Sequence, residues 1–203
     1  ARVHFHKGSG LWVAPGASLQ VNGELSTDSV ALENEVIFEG DRLEPELADV
    51  PGQWGAIWLA PGSVNNNIDH LTVKNATVGL LVEGGPQANP PTLQISNSRI
   101  YSSALVNLWG RNSSIYGENL VSGNAGNASF YGNLGGSYRF LHTTFANYWS
   151  NGPRTGAAVQ LNNVEENISA AVVTGDLTQA FFGNCIVAGN SANELFFNNN
   201  GIN

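Results

Sequence analysis

The chain has 203 residues, 12% of them charged, and a formal net charge of −8 at pH 7. Eight Lys and Arg against 16 Asp and Glu leave no basic patch to neutralise a row of phosphates, which excludes nucleic acid and anionic membrane surfaces as natural partners. No run approaches the ~18 apolar residues of a membrane-spanning helix, and the single cysteine, Cys185, has no partner for an internal disulfide.

Turn formers dominate, with 26 Asn and 24 Gly, while there are only two Lys and no Met. Such a chain is predicted to be all-β with many tight turns. In chain order, short apolar runs alternate with Gly, Asn and Ser: "LWV", "SLQV", "VIF", "AIWL", "GLLV", "LQI" and "VQL". The first strand, "RVHFH", puts His4 and His6 on one face, but no third ligand is near and no metal site is assigned. Because the sequence starts within a strand at Ala1 and ends just after "ELFF", the single β domain over 1–203 is expected to be part of a longer chain.

The runs repeat. "NIDHLTVKN" (67–75), "QISNSRIYS" (94–102), "IYGENLVSG" (115–123), "RFLHTTFAN" (139–147) and "FFGNCIVAG" (181–189) align in one register. Ile68, Ile95, Tyr116, Phe140 and Phe182 then form one inward column, and Val73, Ile100, Val121, Phe145 and Val187 another. His70, Asn97, Glu118, His142 and Asn184 occupy the polar corner between them. Repeats of this length with three short strands predict a parallel β-helix, in which each strand stacks about 4.8 Å from its equivalent in the next turn. The rule for parallel crossovers makes it right-handed. A wider gap near the C-terminus reads as an extra coil or an insertion. The acidic stretches 41–52 and 162–179 break the spacing and are expected to leave the solenoid as loops.

Residues 36–82, "VIFEGDRLEPELADVPGQWGAIWLAPGSVNNNIDHLTVKNATVGLLV", resemble the central signature of right-handed β-helix surface lipoproteins of Bacteroidetes. There an "ITFxGDR…GQWGGIxF…GSxxNxLxYxxI" segment follows "LxVxGxL", here "LQVNGEL". "LGGSYRFLHTTFANYWS" and "FGNCIVAGNSANEL" are similar to the same family. The resemblance implies the fold and a lipid-anchored place on the outer face of the bacterial outer membrane. It implies no single activity, because this fold also hosts polysaccharide lyases, hydrolases and adhesins.

Two function classes follow. The first is a non-catalytic scaffold that binds a glycan or a partner protein of an outer-membrane assembly. Its candidate residues are the aromatics placed to face outward or to cap a strand: Trp12, Trp54, Trp58, Trp109, Tyr148 and Trp149. "LWVAPGAS" (11–18) and "IWLAPGS" (57–63) are nearly one sequence, so Trp12 and Trp58 are expected to stack as neighbours on one outer face. The second class is a polysaccharide lyase or glycoside hydrolase in a sheet groove, which requires convergent carboxylates, or a carboxylate with Arg, Lys or His. Five scattered Asp offer no such cluster. The remaining pair is Glu118 and His142 in the polar corner, where a structural ladder is the simpler reading. Glu165 and Glu166 are the one hint of calcium, without further support, and no cofactor is assigned.

Overall fold

The computed structural model describes residues 2–5, 10–13, 19–21, 24–27, 35–42, 44–86, 89–166 and 172–199. Among them the chain is all-β, with one 3₁₀ turn (Pro45–Leu47). The strands come in triplets. The first is β1 (Arg2–Phe5), β2 (Gly10–Val13), β3 (Leu19–Val21); the second is β4 (Glu24–Thr27), β5 (Val36–Gly40), β6 (Trp54–Leu59). Then follow β7 (Asn66–Asp69), β8 (Leu71–Lys74), β9 (Ala76–Glu83), and β10 (Leu93–Ser96), β11 (Arg99–Tyr101), β12 (Val106–Arg111). Next come β13 (Ser114–Glu118), β14 (Val121–Gly123), β15 (Ala128–Asn133), and β16 (Gly136–Leu141), β17 (Thr144–Asn147), β18 (Val159–Asn162). A side hairpin, β19 (Val164–Glu166) and β20 (Val172–Thr174), precedes the last triplet, β21 (Leu177–Gly183), β22 (Ile186–Gly189), β23 (Leu195–Asn198).

Each triplet gives one strand to each of three parallel, seven-stranded sheets. The first sheet runs β1-β4-β7-β10-β13-β16-β21, the second β2-β5-β8-β11-β14-β17-β22, and the third β3-β6-β9-β12-β15-β18-β23. This arrangement is consistent with a parallel β-helix. The strands are short because one apolar face of two or three side chains suffices to line a narrow core. That core includes Phe38, Ile57, Leu80, Leu108, Phe130 and Phe140. Phe130 packs edge-on against Phe140, with ring centroids 4.8 Å apart.

Between the first and second sheets the chain turns at a single left-handed residue. His70, Asn97, Asn119, His142 and Asn184 have φ between 49° and 53°. Asn and His tolerate this region better than most side chains, which explains their recurrence. The expected corner is therefore correct except at one position: Asn119 occupies it, not Glu118. The same one-residue slip affects both inward columns. Gly117, not Tyr116, pairs with Ile95 and Phe140, and Ser122, not Val121, pairs with Ile100 and Phe145. Tyr116 and Val121 lie one residue away from the core positions, and Val121 is exposed. Cys185 packs partly buried against the core, one residue past the corner.

Among the described residues the wide C-terminal gap holds the β19–β20 hairpin and no extra strand triplet; the expected 162–179 loop is shorter, because Asn162 ends β18 and residues 177–179 begin β21. The 41–52 insertion packs against the corner between the second and third sheets. Asn75 donates to the carbonyls of Ala48 and Val50, and Gln53 donates to that of Leu47. At the far end, Ile186, Leu195, Phe196 and Phe197 of the last triplet are exposed. Among the described residues no helix is long and apolar enough to cross a membrane. His6 lies outside the described residues.

Candidate functional site

The third sheet carries an outward column. Strand pairing places Gln20, Trp58, Leu81, Trp109, Tyr131, Gln160 and Phe196 side by side across consecutive strands. Their neighbours along each strand point inward: Ile57 and Leu59, Leu80 and Val82, Leu108 and Phe130 are all buried. Trp58, Leu81, Trp109 and Tyr131 remain partly accessible. The Trp109 and Tyr131 rings sit 5.5 Å apart, tilted by 39°.

Two residues further along each strand, alternation creates a second outward column: Glu83, Arg111 and Asn133. It is tied to the first. Trp58 Nε1 donates to Glu83 Oε2 at 2.7 Å, and Trp109 Nε1 donates to Asn133 Oδ1 at 3.1 Å. Asn162 Nδ2 donates to the Tyr131 hydroxyl at 2.8 Å. Each ring is thus held by its polar edge and remains partly accessible.

Arg111 sits between two carboxylates. Its Nη1 donates to Glu83 Oε1 at 2.7 Å, and its Nε donates to Glu165 Oε2 at 3.1 Å. The hydrogen bonds it donates to Glu165 and then to Glu83 raise the guanidinium above its ordinary pKa. Glu165 belongs to β19, so the insertion contributes to this face. At the far end, Gln160 and Phe196 line a pocket of ≈290 Å³ with Thr155, Gly156, Ser191 and Asn193.

The other expected site residues go elsewhere. Trp54 is a core residue, 1% exposed, whose Nε1 donates to the Lys74 carbonyl at 2.9 Å. A register shift between Ala56 and Ile57 separates it from Trp58, so residues four apart on one strand face opposite ways. Trp12 lies on β2 in the second sheet, paired with Glu39, so it is not a strand neighbour of Trp58. The two near-identical segments fall at different phases of the triplet. Trp149 is also buried, lining a pocket of ≈370 Å³ with Asp49, Tyr101, Ser102 and Asn124. Tyr148 is exposed on the segment after β17, away from the aromatic column.

Glu118 and His142 line one open groove of ≈530 Å³ with Ser96, Asn97 and Asn119. Glu118 accepts a hydrogen bond from the Tyr116 hydroxyl at 2.7 Å. Beside the groove runs an amide chain: Asn119 Nδ2 donates to Asn97 Oδ1, and Asn97 Nδ2 donates to Asp69 Oδ1, both at 2.7 Å. Among the described residues no group of three or more His, Cys, Asp or Glu is arranged to hold a metal. Glu165 is engaged by Arg111, which works against a calcium role for it.

The chain matches no family model, no curated protein and no solved structure. Sequence reasoning missed Tyr131, Glu83, Arg111, Asn133 and Asn162. Their signal was present as the spacing "LVE", "WGR", "YGN" and "QLN", where a polar residue follows the outward position by two.

Proposed function

We propose that this chain is a right-handed parallel β-helix of a bacterial cell-surface lipoprotein, and that its third sheet binds a glycan without cleaving it. The observation that carries the reading is the column Trp58–Leu81–Trp109–Tyr131, with a hydrogen-bonding column beside it. Aromatic faces pack against the C–H faces of sugar rings, and adjacent polar groups meet the hydroxyls. The membrane-surface assignment rests on the motifs of residues 36–82, and a partner protein of an outer-membrane assembly is the competing occupant of the same face.

Affinity electrophoresis through gels holding a panel of polysaccharides tests it. Retardation of the wild type by at least one polysaccharide, lost in Trp109→Ala, is expected. Migration unchanged in every gel overturns the reading.

A catalytic reading, a lyase or hydrolase, is favoured by one observation only: Glu118 and His142 share a groove. Chain shortening of a bound polysaccharide, abolished by Glu118→Gln, would establish it in place of the non-catalytic one.

A further inference from the structure

Resting on the glycan reading, we infer that the ligand of this face is a neutral, linear polysaccharide that lies across the strands, and that acidic polysaccharides are rejected.

Direction comes from the column. It crosses the strands, and Trp58 and Tyr131 are three strand spacings apart, about 14 Å. Continuing through Gln160 to Phe196 brings the span to about 24 Å and ends at a pocket. A surface of that length suits several consecutive sugar units in an extended chain. A single monosaccharide would leave most of it uncovered.

Charge comes from Arg111. The strongest recognition group for a uronate or sulfate is a cation with free donors, above all an Arg presenting both arms. Arg111 is the cation of the two outward columns, and Glu83 and Glu165 take it from both sides. With one guanidinium and two carboxylates the cluster carries a net charge of −1, in a chain of net charge −8. Arg154, next to the pocket-lining Thr155, is 3% exposed and held by Glu194. A carboxylated sugar would therefore meet like charge and no unengaged cation. Sugar hydroxyls, which donate, find acceptors in the partly exposed carboxylates of Glu83 and Glu165.

The test uses matched pairs: a linear glucan, galactan and mannan, each also supplied with its C6 hydroxyls oxidised to carboxylates. Affinities are measured by titration calorimetry for the wild type, Trp109→Ala and Glu165→Gln. At low salt the wild type is expected to bind at least one neutral chain about tenfold more tightly than its oxidised partner. The gap should narrow as salt is raised. Glu165→Gln, which frees one side of Arg111, should narrow it too. Equal or tighter wild-type binding of the oxidised chain, lost in Trp109→Ala, overturns the inference and leaves the glycan reading standing. So does a preference insensitive to both salt and Glu165→Gln. No binding of either member of any pair overturns the glycan reading itself.

Discussion

Trp54 and Trp58 show how much one residue's parity decides. Both stand in "GQWGAIWLAPGS", yet the register shift between them sends Trp54 into the core and Trp58 to the surface. The two should separate stability from binding. Trp54→Ala removes a fully buried ring and the hydrogen bond to the Lys74 carbonyl, and is expected to cost about 3–5 kcal/mol in urea denaturation. Trp58→Ala should cost much less and lose glycan binding instead. Left-handed corners give a second residue-scale expectation. His142 has φ 49° and an exposed side chain, so His142→Asn should leave stability nearly unchanged. His142→Val, with a β-branched side chain at the same φ, should cost about 1–2 kcal/mol.

At the scale of elements, the strands and their stacking were legible in the sequence, but their phase was not. Alternation of apolar residues marked the strands, and recurrent Asn and His marked the corner. A parallel ladder gives no sequence signal finer than that alternation, so "IYGENLVSG" could slide by one residue against its neighbours. The slip exchanged Gly117 for Tyr116 and Asn119 for Glu118. The aromatic column depends on long-range pairing of β6, β9, β12 and β15, which is why Tyr131 went unnoticed and Trp12 was misplaced. The second insertion also reaches the aromatic face: β19 brings Glu165 to Arg111. A further strap joins β18 and β23. Glu194 accepts from Arg154, from the Ala158 amide at 2.8 Å and from the Ser191 amide at 2.6 Å. Burial pushes the Glu194 carboxyl up, but the Arg154 hydrogen bond and the two amides outweigh it, and its pKa lies below the ordinary value of 4.5. A carboxyl lowered by folding adds stability above its unfolded pKa and loses it as pH falls through the folded one. Stability should therefore drop as pH is lowered below about 4.5, and Glu194→Gln should lose most of that slope. Glu194→Ala at neutral pH leaves Arg154 buried without its partner and should cost about 3–5 kcal/mol.

At the scale of the whole molecule, the described residues form seven stacked triplets, a rod in which each triplet strand pairs with its equivalents in adjacent triplets. Stability in such an array is approximately a sum of intrinsic repeat and nearest-neighbour terms and is lowest where few apolar side chains are buried. Amide exchange should be slowest in β9, β12 and β15 and fastest in β21–β23, whose Ile186, Leu195, Phe196 and Phe197 are exposed. The same repetition makes the rod a ruler, since side chains at one outward position recur every strand spacing. The central claim is that this ruler presents Trp58 and Trp109 to a sugar chain while Trp54 and Trp149 serve the core. The most direct measurement is a titration of ¹⁵N-tryptophan-labelled protein with neutral oligosaccharides, the indole signals assigned by single Trp→Phe variants. The Trp58 and Trp109 indole signals should shift with saturation while those of Trp54 and Trp149 stay in place. Saturable shifts confined to Trp54 and Trp149, or no shift with any oligosaccharide, would contradict it.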